Sequence, residues 1–75
     1  MKPYPNQAGD SGVVAYEIEG NSIKIAFHGG HTYLYDEVKP GLEEVREMQR
    51  LAKQGRGLST YISQEIRERF ARKLS

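Results

Sequence analysis

Apolar and polar residues alternate along the first half of the chain. Val14, Tyr16 and Ile18 alternate with Ala15 and Glu17, the two-residue period of a half-buried strand. Glu19-Gly20-Asn21 has the composition of a turn. Ile23, Ile25 and Phe27 then alternate with Lys24, Ala26 and His28, the clearest strand in the sequence. Gly29-Gly30 follows, and two glycines accept the positive φ angles of a two-residue type I′ loop. That loop would set His28 opposite His31. Residues 31–35 (HTYLY) read as a third strand, aromatic and β-prone. Three strands joined by short turns predict an antiparallel meander.

The period then changes. Leu42, Val45, Met48, Leu51 and Ala52 form one apolar stripe at helical spacing. Pro40 suits the first turn of that helix, and Glu43 and Glu44 sit where the N-terminal dipole favours carboxylates. Gly55 is the expected left-handed C-cap. Ser59 or Ser63 can cap a second helix, with Leu58, Ile62, Ile66, Phe70 and Leu74 as its ridge. Arg69 and Lys73 project close to that ridge, so the regular helix is expected to fray before Leu74. The predicted class is α+β: a three-stranded antiparallel meander followed by two helices packed on one face of the sheet. Residues 1–12, rich in Pro, Gly, Asn and Asp without periodicity, read as a flexible N-terminal tail, and residues 13–74 as a single domain.

Composition narrows the chemistry. A chain of 75 residues builds a core worth only about 3–5 kcal/mol of net stability, so large apolar side chains are needed for packing. There are no cysteines, which excludes disulfides and thiolate zinc sites. No run approaches the roughly 18 apolar residues of a membrane span, and Met1-Lys2-Pro3-Tyr4-Pro5 lacks the apolar stretch of a signal peptide. A cytoplasmic location is the expectation. Net charge is +1, but it is unevenly distributed. Residues 1–45 carry three lysines against seven acids; residues 46–75 carry eight basic residues against three acids. The chain is a charge dipole along its length.

In this order of elements the sequence resembles the KTSC domain. That family is named for its position at the C-terminus of some lysyl-tRNA synthetases and also occurs as small stand-alone bacterial proteins. The resemblance spans residues 11–73. It rests on residues 11–16 entering the first strand, Phe27 with Gly29-Gly30, the Tyr33-Leu34-Tyr35 triplet matching the family's Tyr-x-Tyr centre, and Val38. It continues through the Ala-x-x-Gly-x-Gly junction of residues 52–57, the run of residues 58–63, and Ile66, Arg67 and Phe70. Ser59 and Ser63 stand where similar sequences carry Asn, and Ala71 stands where a proline often follows the tail aromatic. The resemblance implies a small binding domain, with RNA suggested as partner by the synthetase context.

Candidate sites follow from the residues. Arg46, Arg50 and Lys53 recur at i, i+4 and i+7 on the first helix. Like charges at that spacing repel by roughly 0.2–0.5 kcal/mol per pair; the stripe is either a solvated face relieved by Glu43 and Glu47 or a surface for phosphates. Gly55-Arg56-Gly57, opening onto Ser59 and Thr60, is either a C-cap with a tight interhelical turn or an anion cradle of free N–H groups. Tyr33 and Tyr35 share a strand face. Exposed, they would stack on unpaired bases; the needs of a small core argue for burial. His28 and His31 lack the further ligands that zinc requires, and no serine has a base and an orienting group in prospect. The leading expectation is a non-enzymatic domain without metal or small-molecule cofactor. It would contact RNA through Arg46, Arg50, Lys53, Arg56 and Arg67, with residues 55–57 seating one phosphate. The alternative is a protein-interaction or homodimerisation module.

Overall fold

A computed structural model describes residues 1–5 and 12–75. Strands β1 (Lys2–Pro3), β2 (Val13–Glu19), β3 (Ser22–Phe27), β4 (Thr32–Tyr35) and β5 (Arg72–Lys73) form one antiparallel sheet in chain order. Helix α1 (Leu42–Gln54) follows the meander, and α2 (Leu58–Tyr61) runs on into a π-helical turn, Ile62–Ile66. The fold is therefore α+β with an antiparallel sheet and two helices, as the periodicities require. The sheet has five strands rather than three. Tyr16, Ile23, Ile25 and Tyr35 from the sheet and Val45, Met48, Ala52, Leu58, Ile62 and Ile66 from the helical layer meet in one buried cluster. No helix among the described residues is long and apolar enough to cross a membrane.

The two added strands are the short outer ones, and each corrects an expectation. Residues 1–5, read as tail, belong to the fold. Lys2 pairs with Tyr16 and Pro3 with Ala15, the Tyr4 N–H donates to the Val14 carbonyl at 3.0 Å, and the Tyr4 side chain is only 6% exposed. The remaining residues of the expected tail, apart from Gly12, lie outside the described residues. At the other end, the chain abandons helical geometry at Arg67, well before the fraying point expected near Leu74. The Ala71 N–H donates to the Leu34 carbonyl at 2.8 Å, and β5 then pairs with β4. Phe70 packs against the core from an irregular segment, while Leu74 is exposed.

Smaller differences have local causes. Val13 pairs with Phe27 and Ala15 with Ala26, so Val14 is the extra residue of a β-bulge. The bulge reverses the alternation: Val13 faces the core and Val14 is exposed. The hairpin after β3 is wider than two residues, because the Phe27 N–H donates to the His31 carbonyl (2.7 Å) while the Gly30 N–H donates to the Phe27 carbonyl (3.2 Å). His28 and His31 are therefore not cross-strand partners. Pro40 precedes α1, joined to Lys39 by a cis peptide, and Gly41 rather than proline leads into the helix.

Within α1 the apolar stripe is buried along its centre, but Leu42 at its N-terminal end is exposed and Leu51 is only partly buried. Val45, Met48 and Ala52 are fully buried, Glu43 and Glu44 occupy the first turn, and Gly55 caps the C-terminus in the left-handed region at φ 74°. Gln49 is the buried polar residue of this face. Its Nε2 donates to the Gly20 carbonyl at 3.0 Å and the Ser22 carbonyl at 3.1 Å, tying α1 to the β2–β3 turn.

Burial gives Tyr35 a pH signature. Its phenol is pushed up to about 12, first by burial and then by the proximity of Tyr33. The unfolded chain releases this proton near the ordinary value of about 10, so the native state binds it more tightly between those pH values. The contribution of Tyr35 is complete below pH ~10 and is lost as pH rises towards ~12. The urea midpoint of the wild type should fall more steeply across that window than the midpoint of a Tyr35→Phe variant. Parallel curves for the two proteins would contradict this assignment.

Candidate functional site

The buried stripe of α1 fixes what faces outward. With Val45, Met48 and Ala52 in the core, Arg46, Arg50 and Lys53 project into solvent. Together with Gln49 and Gln54 they line one open groove of about 460 Å³. Lys53 also lines the neighbouring groove of about 340 Å³, which it shares with Lys2, Tyr16, Glu17 and Ile18. The four cations thus form a continuous band from the outer side of α1 to the β1 edge of the sheet. Lys2 joins it because β1 is part of the fold.

The members of the band differ in how far they are neutralised. Arg50 is bound through two atoms to Glu47, at 2.9 and 2.6 Å. That pair raises the Arg50 guanidinium above its ordinary value and lowers the Glu47 carboxyl, in both cases chiefly through the hydrogen bond. Arg46 instead donates to the neutral Asn21 side chain at 2.9 Å, which orients the guanidinium over the β2–β3 turn while leaving its charge intact. Lys53 has no carboxylate within ion-pair distance among the described residues. In the second groove Glu17 lies 3.8 Å from Lys24 and 3.9 Å from the Met1 amino group.

Acidic residues gather on the other side of α1. Leu42, Glu43, Glu44, Glu47 and Tyr61 line a groove of about 590 Å³ whose remaining wall is Arg46 and Arg50. The Tyr61 phenol is raised above its usual range by burial first and then by Glu44, Glu47 and Glu65, against the opposing effect of Arg69. Arg69 reaches Glu44 at 4.0 Å. Arg46 and Arg50 thus line both grooves, with the glutamates on one side of them and Lys53 on the other.

Other residues picked out by sequence do not join the band. The glycine junction has a packing role. The Gly55 N–H donates to the Leu51 and Ala52 carbonyls, and the space above its Cα is occupied by the Pro5 ring. Gly57 takes φ 83° as the N-cap of α2, with no side-chain cap. The Leu58 N–H, one of the groups an anion would need, donates to the Tyr4 hydroxyl at 3.3 Å. The cap expected of Ser59 or Ser63 is thus supplied by a residue 54 positions away, and Ser63 Oγ instead donates to the Ser59 and Thr60 carbonyls. Arg56 is exposed beside the junction. Arg67 lies elsewhere, lining a pocket with Tyr33 and Phe70 beside β4.

Tyr33 and Tyr35 form no open stacking platform. Tyr35 is 1% exposed. Tyr33 is half-buried between Phe70, at 4.6 Å between ring centroids, and Phe27, at 5.8 Å. Among the described residues no three His, Asp or Glu side chains are grouped to hold a metal ion. Sequence reading missed Lys2 and Asn21. Neither carries a local signal, since both are recruited by the pairing of strands.

No protein-family model, no curated protein and no solved structure matches the chain.

Proposed function

We propose that this domain is a non-enzymatic binding module of the cytoplasm that contacts the phosphates of RNA through the outer face of α1. The supporting observation is the continuous band of Lys2, Lys53, Arg46 and Arg50, in which, among the described residues, only Arg50 is tied to a carboxylate. Its resemblance to the KTSC domain supports the same partner. Arg46 and Lys53 carry most of the attraction, and Asn21 fixes the orientation of Arg46. Phosphate contacts of this kind give affinity without sequence preference. The homodimer reading has weaker support, because the outer strands β1 and β5 are two residues long and offer little edge for pairing.

The test is anisotropy of a labelled single-stranded RNA at low salt, about 50 mM. Replacing both Arg46 and Lys53 by Glu should weaken binding by at least about tenfold, since two phosphate contacts become repulsive. Arg72→Glu, on the far edge of the sheet, serves as the control and should change affinity by less than about twofold. Equal losses from both variants would point to general charge rather than this band. Undiminished binding by the double variant would refute the proposal.

A further inference from the structure

The chain breaks out of helical geometry in an unusual way beside β4. The π-helical turn Ile62–Ile66 is closed by the Arg67 N–H, which donates to the Ile62 carbonyl at 2.5 Å. Single π turns inside helices often mark functional sites. Arg67 itself takes φ 55° and ψ −120°. It is the one non-glycine residue with positive φ among the described residues. Glycine adopts this conformation freely and a side chain resists it. The fold of this turn alone would be better served by glycine.

What the arginine gains is a position. It lines a pocket of about 220 Å³ with the rings of Phe27, Tyr33, Tyr35 and Phe70 and the polar side chains of His31 and Glu68. The Glu68 carboxylate does not pair with the guanidinium. The three half-buried rings lie edge-to-face or tilted, Phe27 to Tyr33 at 70° and Tyr33 to Phe70 at 40°, so aromatic surface forms much of the wall, beside Ile62, His31 and Glu68. Arg67 is exposed and has no ion pair among the described residues. The volume is below the roughly 300 Å³ at which drug-sized sites begin, which suits a single ring system. Aromatic walls favour a planar ring, and a free guanidinium favours a carboxylate or phosphate held through two N–H groups.

We infer that this pocket binds a small ligand made of a planar aromatic ring carrying one anionic group, with Arg67 holding the anion. The inference does not rest on the polyanion reading. The pocket lies by β4 and the basic band reaches the sheet at β1, strands at opposite sides of the sheet order.

The test is a titration of the ¹⁵N-labelled protein with adenosine 5′-monophosphate, with indole-3-acetate and with uncharged adenosine. Saturable shifts of His31, Tyr33, Arg67 and Phe70 are expected with at least one of the two acids. Whichever acid binds more tightly identifies the source as a nucleotide or an aromatic acid. Adenosine should bind at least about tenfold more weakly than the better acid, a difference of about 1.4 kcal/mol. Arg67→Gly separates function from folding, because it removes the cation and relieves the backbone. That variant should keep or raise the thermal midpoint while reducing the affinity of the acid by a similar factor. Three results would each overturn the inference: no saturable shifts with either acid, acid affinity unchanged in Arg67→Gly, or a lowered midpoint in that variant.

Discussion

Tyr4→Ala is expected to leave the protein largely unfolded at room temperature. The ring is buried and packs edge-on against Tyr16, with centroids 6.5 Å apart and planes at 81°. Its hydroxyl accepts the Leu58 N–H at the start of α2. Truncating a large buried aromatic costs about 3–5 kcal/mol, which equals the whole net stability expected of a domain this small, about 3–5 kcal/mol. Tyr4→Phe keeps the packing and removes the hydroxyl only, so its cost should be about 1–3 kcal/mol, that of one unsatisfied buried N–H. Far-ultraviolet circular dichroism with urea titration distinguishes the three proteins. A Tyr4→Ala variant with the wild-type midpoint would show that the first five residues contribute nothing to the fold.

Gly55→Ala should be nearly as damaging, and for a reason that a second glycine isolates. Gly55 and Gly20 both have positive φ, 74° and 56°. Alanine at either site therefore carries a backbone cost of roughly 1–2 kcal/mol. They differ in their surroundings. A Cβ on Gly20 meets nothing within 4 Å, whereas one on Gly55 would lie 2.6 Å from the Pro5 Cβ and 2.8 Å from its Cγ. Displacing that ring disturbs the segment that places Tyr4, adding about 1–3 kcal/mol for overpacking. The expected totals are roughly 1–2 kcal/mol for Gly20→Ala and 2–5 kcal/mol for Gly55→Ala. Equal losses in urea unfolding would mean that Pro5 does not press on the junction.

The parts of the fold legible in the sequence are those where one period persists. Ile23, Ile25 and Phe27 alternate without interruption and form β3; Val45, Met48 and Ala52 hold helical spacing and are buried in α1. The N-terminal strand was hidden because two residues, one of them a proline, carry no period. Its existence depends on the open edge of β2, a tertiary fact. The bulge at Val14 was hidden because two adjacent valines look alike whichever faces inward. Leu58, Ile62, Ile66, Phe70 and Leu74 continue a helical ridge on paper, yet the chain turns at Arg67. An arginine gives no warning of positive φ. The awkward placement of Arg69 and Lys73 was the one trace of that turn, and residues 72 and 73 are indeed in β5.

The candidate site divides along the same line. Arg46, Arg50 and Lys53 could be grouped from spacing alone, because a single helix carries them. The relief of Arg50 by Glu47 was legible as well, Glu47 being three positions away on the same helix. The partner of Arg46 was not, since Asn21 reaches it across 25 positions of sequence. Gly55-Arg56-Gly57 has the composition of an anion cradle, but Pro5 and Tyr4 fill the place an anion would take. The tail that sequence reading set aside is therefore what converts that junction from a site into packing.

The salt dependence of RNA binding tests the phosphate-binding band most directly. Each single-strand phosphate neutralised contributes about −0.7 to the slope of log affinity against log salt. Three to four engaged cations predict a slope of about −2 to −3 for the wild type, falling to about −1 or flatter when Arg46 and Lys53 are both reversed. A wild-type slope near zero, or one that the double variant leaves unchanged, would contradict phosphate binding by this face of α1.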